Sequence, residues 1–165
     1  MRGLLLLGAA LALSGCGLRP LYGGGASGPV QTVLASVQVA PIEGQSGWLV
    51  SNALRDRLNV GQDNTSSYRL EVRLDDQIAG LGVRSDDSVA RERLTLRARY
   101  QLVDLSNGTV VLDATAGSDA GIDVVGSEYA TIAAERTALE RLSGIVADQI
   151  VARVARYAHA TPAAR

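Results

Sequence analysis

Two stretches of the chain alternate between apolar and polar residues, and this pattern limits the fold more than any other feature. In Tyr68–Asp75 every second position is apolar, and the positions between hold arginines and acids. Leu94–Leu102 repeats the pattern, with arginines, Thr95 and Gln101 between the apolar residues. Successive side chains of a strand point to opposite faces, so each stretch predicts a strand with one buried and one solvent-facing side. A sheet of such strands needs a second layer over its apolar face.

Helical periodicity predicts that second layer. Apolar residues recur every four positions from Val50 to Leu58, which is the spacing of one helix face. Ser46 is a candidate N-cap and Gly61 follows the last apolar residue, so we expect a helix over Gly47–Val60.

A second, longer apolar stripe runs from Ile132 to Tyr157. With Ser127 as a candidate N-cap, it predicts a helix over Glu128–Ala158.

Two further strands complete the sheet. The valine-rich stretch Thr32–Ile42 predicts a first strand, and Asn107-Gly108 predicts a hairpin turn that leads into a strand over Thr109–Ala116. The element order is then β-α-β-β-β-α. This order predicts an α+β fold, a two-layer sandwich with two helices packed on one face of a small, mostly antiparallel (mixed) sheet. We expect a single domain over residues 30–158, with Trp48 and Tyr68 in its core, and a disordered tail over residues 159–165.

The N-terminus has the features of a lipoprotein signal. Arg2 precedes the apolar run Leu4–Leu13, which is too short to span a bilayer, since a spanning helix needs about 20 apolar residues. Ser14 and Gly15 then precede Cys16, and small residues directly before a cysteine are typical of lipoprotein cleavage sites. The sequence therefore predicts a signal peptide over residues 1–15, an acylated Cys16 that anchors the protein in a membrane, and a flexible glycine-rich tether over residues 16–29.

The residue after the cysteine predicts which membrane holds the anchor. Gly17 stands where Asp usually retains a bacterial lipoprotein in the inner membrane. We therefore expect the periplasmic leaflet of the outer membrane.

Composition argues against several functional classes. A net charge of −1 argues against a protein held on nucleic acid by charge. One Cys and one His, His159 in the expected tail, build neither a disulfide nor a His/Cys zinc site. The tandem acids Asp75-Asp76 fall on a predicted strand, where neighbouring side chains point to opposite faces, and Asp86-Asp87 lack the alternating ligands and glycine of a calcium loop. No nucleotide-binding, hydrolase or metalloprotease motif occurs, so we expect no enzyme, no cofactor and no metal.

The chain resembles the lipopolysaccharide-assembly lipoprotein family LptE. The resemblance starts at Cys16–Gly23 (CGLRPLYG) and continues in Tyr100–Asp104 (YQLVD), Asn107-Gly108 and Tyr129–Arg136 (YATIAAER). It implies a two-layer α/β domain inside the outer-membrane β-barrel LptD. There it would plug the barrel, help to assemble it and bind lipopolysaccharide during delivery to the cell surface.

Arginines are the natural ligands for the phosphates of lipopolysaccharide, because a guanidinium forms paired hydrogen bonds with phosphate oxygens. Arg84, Arg91 and Arg93 fall between two predicted strands, where a hairpin tip would bring them together. The family's lipid-binding positions add Arg136, at the start of the last helix. Ordinary solvated arginines remain an alternative for each of them.

Other interpretations also remain open. Arg69, Arg73, Arg97 and Arg99 lie on the polar faces of their strands, where Glu71, Asp75 or groups of a barrel lumen are possible partners. The whole protein is alternatively a periplasmic adaptor for another envelope machine. A third possibility is a hydrolase that uses Asp, Ser and His159.

Overall fold

The computed structural model describes residues 28–58, 66–83 and 89–160. In chain order they form α1 (Pro29–Ala35), β1 (Val37–Val39), α2 (Gly44–Leu58), β2 (Tyr68–Val83), β3 (Val89–Asp104), β4 (Val110–Asp123) and α3 (Glu128–Ala160). The predicted α+β class and the order β-α-β-β-β-α are confirmed, with one short helix added in front. The signal peptide, nearly all of the tether, Cys16, Gly61, Arg84, Asp86, Asp87 and residues 161–165 lie outside the described residues.

The sheet has the order β1-β2-β3-β4, with β1 parallel to β2 and both later pairs antiparallel. The three long strands extend well beyond their predicted ends, since β2 continues to Val83 and β4 to Asp123. Pairing of β2 with β3 runs from Tyr68 opposite Asp104 to Val83 opposite Val89. Pairing with β3 satisfies the backbone groups that face it along these extensions, so they need no alternating burial to persist.

The turn between β3 and β4 forms as predicted. The backbone N–H of Gly108 donates to the carbonyl of Asp104 over 2.8 Å, and that of Asp104 donates to the carbonyl of Thr109 over 2.9 Å. Gly108 has a φ of +72°, a conformation that residues with a Cβ rarely adopt. The carboxylate of Asp104 accepts hydrogen bonds from the hydroxyl and the N–H of Ser106, and these lower the pKa of Asp104.

The expected strand over Thr32–Ile42 is wrong in its first half. α1 occupies that stretch, and only Val37–Val39 is a strand. Pro29 stands in the first turn of α1, where its missing N–H costs nothing. Val30 and Leu34, four residues apart, are both buried, so the valine-rich pattern is that of a helix face at this point.

The second helix forms, but it begins three residues earlier than predicted. α2 starts at Gly44, which has a φ of +83°. Ser46 is therefore not the N-cap; it lies buried inside the helix, and its hydroxyl donates to Asp76 Oδ1 of β2 over 2.9 Å. This contact fixes the N-terminal turn of α2 at the level of Asp76.

The core lies between the sheet and the helices. α3 packs on β3 and β4, and α1 and α2 pack on α3. Arg57 of α2 pairs with Asp148 of α3, and this hydrogen bond raises the pKa of the guanidinium. Tyr68 is partly buried and meets the ring of Tyr157 edge-on at 6.3 Å, whereas Trp48 is 64% exposed, so its expected place in the core is wrong.

The C-terminal helix is slightly longer than predicted. α3 includes His159, which is exposed in its last turn, so the expected tail starts too early.

Candidate functional site

The helices cover only one face of the sheet, and this divides the side chains of each long strand into two sets. On β3 the even-numbered residues from Leu94 to Leu102 are all buried beneath the helices, as the alternation predicts. We call this side the inner face and the opposite side the outer face. The outer face of β3 carries four arginines, and that of β4 carries three aspartates, namely Arg91, Arg93, Arg97, Arg99, Asp113, Asp119 and Asp123.

Three of these arginines bind aspartates across the strand pair. Arg99 Nη2 lies 3.1 Å from Asp113 Oδ2, and Arg97 Nη2 lies 3.1 Å from Asp119 Oδ1. Each pair is exposed to water, so each contributes little to stability. Together they hold the long strands in one register.

Hydrogen bonds lower the pKa of two of these aspartates. The Arg99 guanidinium, helped by the amide of Gln101, holds the pKa of Asp113 below its ordinary value. For Asp119 the hydroxyl of Thr95 is the main cause, at 2.7 Å, and Arg97 is the second. Both carboxylates therefore keep their charge to a lower pH than an ordinary aspartate.

The acids expected from the sequence play a smaller part. Glu71 pairs with its neighbour Arg69 at 2.8 Å, but Asp75 accepts a hydrogen bond from Gln77 instead of an arginine. Asp75 points to the outer face and Asp76 to the inner face. The two carboxylates of this tandem pair are thus on opposite sides of the sheet, as expected.

Arg97 also crosses the neighbouring strand. Its Nη1 donates to the carbonyl oxygen of Ser118 over 3.1 Å, and its aliphatic stem lies over Gly117. A Cβ at position 117 would lie only 2.5 Å from Cδ of Arg97. Gly117 therefore makes room for the arginine.

The structure gathers two of the four candidate lipid-binding arginines. Arg91 and Arg93 are two residues apart on the outer face, but they lie within β3 and not in the hairpin tip where we expected them. Arg91 Nε binds Asp123 Oδ1 at 2.9 Å, whereas Arg93 has no carboxylate partner among the described residues. Arg136 is exposed on α3 at the same end of the sheet, but α3 packs on the inner face, so Arg136 lies on the opposite side of the sheet from Arg91 and Arg93.

Sequence reasoning missed a group of exposed apolar side chains at the same end of the sheet. Ile78 of β2 is 52% exposed and Tyr129 in the first turn of α3 is 89% exposed. Val125 and Ile132 are also exposed. Ile78 lies two residues beyond Asp76, where α2 begins, so no part of α2 covers it. One signal in the sequence is length. The apolar stripe of α3 is longer than that of α2, so part of it has no α2 residues to pack against.

We call this end of the molecule the tip. It comprises residues 78–81 of β2, 91–94 of β3, 119–125 at and after the end of β4 and 128–136 of α3. The tip therefore presents exposed apolar side chains on the inner side of the sheet and arginines on its outer face, a combination suited to a ligand that carries both acyl chains and phosphates.

Within residues 28–58, 66–83 and 89–160, no three His, Cys, Asp or Glu side chains lie close enough together to hold a metal ion. Among the helices of the same ranges, none is both long enough and apolar enough to cross a bilayer.

Solved structures share this fold. A putative lipoprotein from Caulobacter crescentus superposes with a TM-score of 0.69 at 26% identity, over 81% of this chain and 100% of that one. Rare lipoprotein B from Shewanella oneidensis gives 0.56 at 11% identity, over 72% of this chain and 95% of that one. An uncharacterised lipoprotein B from Nitrosomonas europaea gives 0.57 at 14%, over 76% and 89%.

No curated protein matches the chain. The family model described as LptE, lipopolysaccharide-assembly, matches residues 34–154, which include every helix and strand from β1 to β4 and most of α3. The match covers well over half of the chain, and the protein therefore belongs to the LptE family of lipopolysaccharide-assembly lipoproteins.

Proposed function

We propose that this protein is a non-enzymatic lipoprotein of the outer membrane that binds lipopolysaccharide through its tip and plugs the barrel LptD, which it helps to assemble. Family membership supports the assembly role. The observation that carries the lipid-binding role is the tip itself, where exposed Ile78 and Tyr129 lie at the same end of the sheet as Arg91 and Arg93.

The two kinds of side chain suit the two parts of the ligand. Arg93 has no carboxylate partner among the described residues, so its guanidinium is available to a phosphate oxygen. Arg91 shares its charge with Asp123 in an exposed pair, which a phosphate can displace at little cost because such pairs are weak. Contact of these exposed apolar side chains with acyl chains removes apolar surface from water, which lowers the free energy of the complex.

Charge reversal tests the lipid-binding role. We expect the double variant Arg91→Asp, Arg93→Asp to bind purified lipopolysaccharide at least about tenfold more weakly than the wild type, because charge-assisted hydrogen bonds are lost and repulsion is added. The matched control is Arg153→Asp, Arg156→Asp, which makes the same charge change on two exposed residues near the other end of α3. Equal losses in both variants, or unchanged binding in the first with a normal circular dichroism spectrum, would contradict the role of the tip.

Purification tests the barrel partner and the anchor. The proposal predicts that the tagged full chain, extracted in mild detergent, carries acyl chains on Cys16 and is recovered in a one-to-one complex with a large outer-membrane barrel. Recovery with a different envelope machine and no barrel would favour the adaptor interpretation. Replacement of His159 by Ala should change neither result.

A further inference from the structure

The two edges of the sheet differ in how far other parts of the protein cover their backbone groups. β4 forms one edge, and α3 lies along it. The side-chain amide of Gln149 binds both backbone groups of Gly117, since Gly117 N–H donates to Oε1 over 3.0 Å and Nε2 donates to the Gly117 carbonyl over 3.2 Å. Gln149 thus occupies the place that an added strand would take at the middle of this edge.

The other edge is closed only at its start. β1 covers β2 from Tyr68 to Leu70, and the last contact is the N–H of Ala40, which donates to the carbonyl of Leu70 over 2.9 Å. The N–H of Tyr68 donates towards β1 as well. The even-numbered residues of β2 therefore direct their backbone groups away from β3, and the odd-numbered ones pair with β3.

This alternation continues past the end of β1. The register of β2 with β3 is regular through Leu81, so Val72, Leu74, Asp76 and Ile78 direct their N–H and carbonyl groups to the open side. Among the described residues, none of these groups has a backbone partner on that side. An edge of this length with free backbone groups is a template for another strand.

A cleft lies directly along this edge. It has a volume of about 930 Å³ between β2, the segment 40–46 that leaves β1, and Leu139 of α3. Three carboxylates line it against one guanidinium, namely Glu43, Glu71, Asp76 and Arg73. On the inner side an added strand would meet Leu74 and Leu139, which are apolar and partly buried.

We propose that the β2 edge from Val72 to Ile78 is a docking site for an extended, basic segment of a partner polypeptide, which joins the sheet as an additional strand. Its backbone pairs with the free groups of β2. Its apolar side chains lie against Leu74 and Leu139, and its basic side chains lie beside Glu71 and Asp75. This site is separate from the lipid-binding role of the tip, so either proposal can fail without the other.

Amide hydrogen exchange of the full chain, followed by NMR, tests this proposal. The probe is a short synthetic peptide, capped at both ends, in which arginine and valine alternate; the control peptide has glutamate at each arginine. In the free protein the amides of Val72, Leu74 and Asp76 should exchange faster than those of their odd-numbered neighbours, because they have no backbone partner. Saturating basic peptide should slow these three amides about tenfold, the size expected for one new hydrogen bond at each.

Two results would overturn the proposal. One is that neither peptide slows these amides. The other is that the peptide slows exchange of the Thr115 and Asp119 amides instead, at the β4 edge where Gln149 binds the backbone of Gly117.

A variant pair separates docking from general attraction between opposite charges. Glu71→Arg with Asp75→Arg should weaken binding of the basic peptide about tenfold or more. The control is Asp56→Arg with Glu140→Arg, the same charge change at two exposed helix positions. Equal weakening in both variants would show that net charge alone holds the peptide. If the double reversal fails to fold, Glu71→Gln with Asp75→Asn gives the same comparison.

Discussion

The two halves of β2 contrast sharply on the same inner face of the sheet. Leu70 is fully buried beneath the helices, whereas Ile78, on the same face eight residues further on, is 52% exposed. The strand and its pairing with β3 continue through both, but α2 begins only at the level of Asp76. On β2 the covering layer therefore ends before the strand does, whereas Leu94 of β3, which pairs with Ile78, is still buried beneath α3.

This contrast shows that different forces maintain the two halves. Burial stabilises the covered half, through side chains such as Leu70 and Tyr100. In the tip the backbone ladder, α3 and weak pairs such as Arg91–Asp123 maintain the strands. The far end of β2 contributes little burial, so its exposed Ile78 is free to contact a ligand.

The largest predicted effect tests this division directly. Leu70→Ala should lower the free energy of unfolding by about 3 kcal/mol, because it removes buried methyl groups and leaves a cavity. Ile78→Ala should lower it by less than about 0.5 kcal/mol, since its side chain is half in water already. Urea unfolding of the two variants measures the difference. Similar losses in both would mean that the tip is packed in solution by something that the described residues do not include.

The sequence predicts the covered half well, because burial produces an alternating pattern there. Even-numbered residues of β2 and β3 are apolar where helices lie above them. The start of β2 at Tyr68 and the end of β3 near Leu102 could therefore be predicted. The pattern fades where coverage ends, and the extensions to Val83 and Asp123 depend on pairing that no local pattern records. The predicted strand over Thr32–Ile42 depends on Val33, Val37 and Val39, which lie at odd-numbered positions, whereas Val30 and Leu34 have the spacing of the helix that forms there.

The candidate site was predictable only in part. The sequence predicts that Arg91 and Arg93 lie close together, but in a hairpin tip, whereas the structure places both on one face of β3. Their neighbours at the tip were not predictable, because Ile78 and Ile132 have the spacing of core residues. Only the point at which α2 begins, set by the contact of Ser46 with Asp76, shows that they are exposed. This contact joins residues 30 positions apart in the chain, so no local sequence pattern predicts it.

A second prediction compares two glycines of β4 on the outer face. Gly117→Ala should lower the free energy of unfolding by about 1–3 kcal/mol, because the new Cβ meets Arg97 Cδ at 2.5 Å and the Leu96 carbonyl oxygen at 3.0 Å. Gly121→Ala, four residues nearer the tip, has nothing within 4 Å of its Cβ and should be neutral or slightly stabilising. Thermal unfolding of both variants checks this. A harmless Gly117→Ala would mean that Arg97 does not cross β4 in solution.

The smallest predicted effect concerns the ladder that joins the two halves. Thr95→Val removes the hydroxyl that donates to Asp119 Oδ1, the main cause of the lowered pKa of this carboxyl. The pKa of Asp119 should rise in the variant but stay below its ordinary value, because Arg97 still donates. Carboxyl NMR titration measures this, and Thr115→Val, which removes an exposed hydroxyl from β4, is the control that should leave Asp119 unchanged.

The same substitution has a defined pH dependence. A carboxyl whose pKa is lowered by folding stabilises the folded state fully above the pKa of the unfolded chain, about 4, and this contribution is lost as the pH falls through the lowered value. The wild type should therefore exceed Thr95→Val in stability at neutral pH, and this advantage should shrink in acid as Asp119 takes up its proton. An advantage that stays constant down to the acid limit would mean that the hydroxyl stabilises β3 and β4 without contacting Asp119, and that the two strands are held together at this point by their backbone pairing alone.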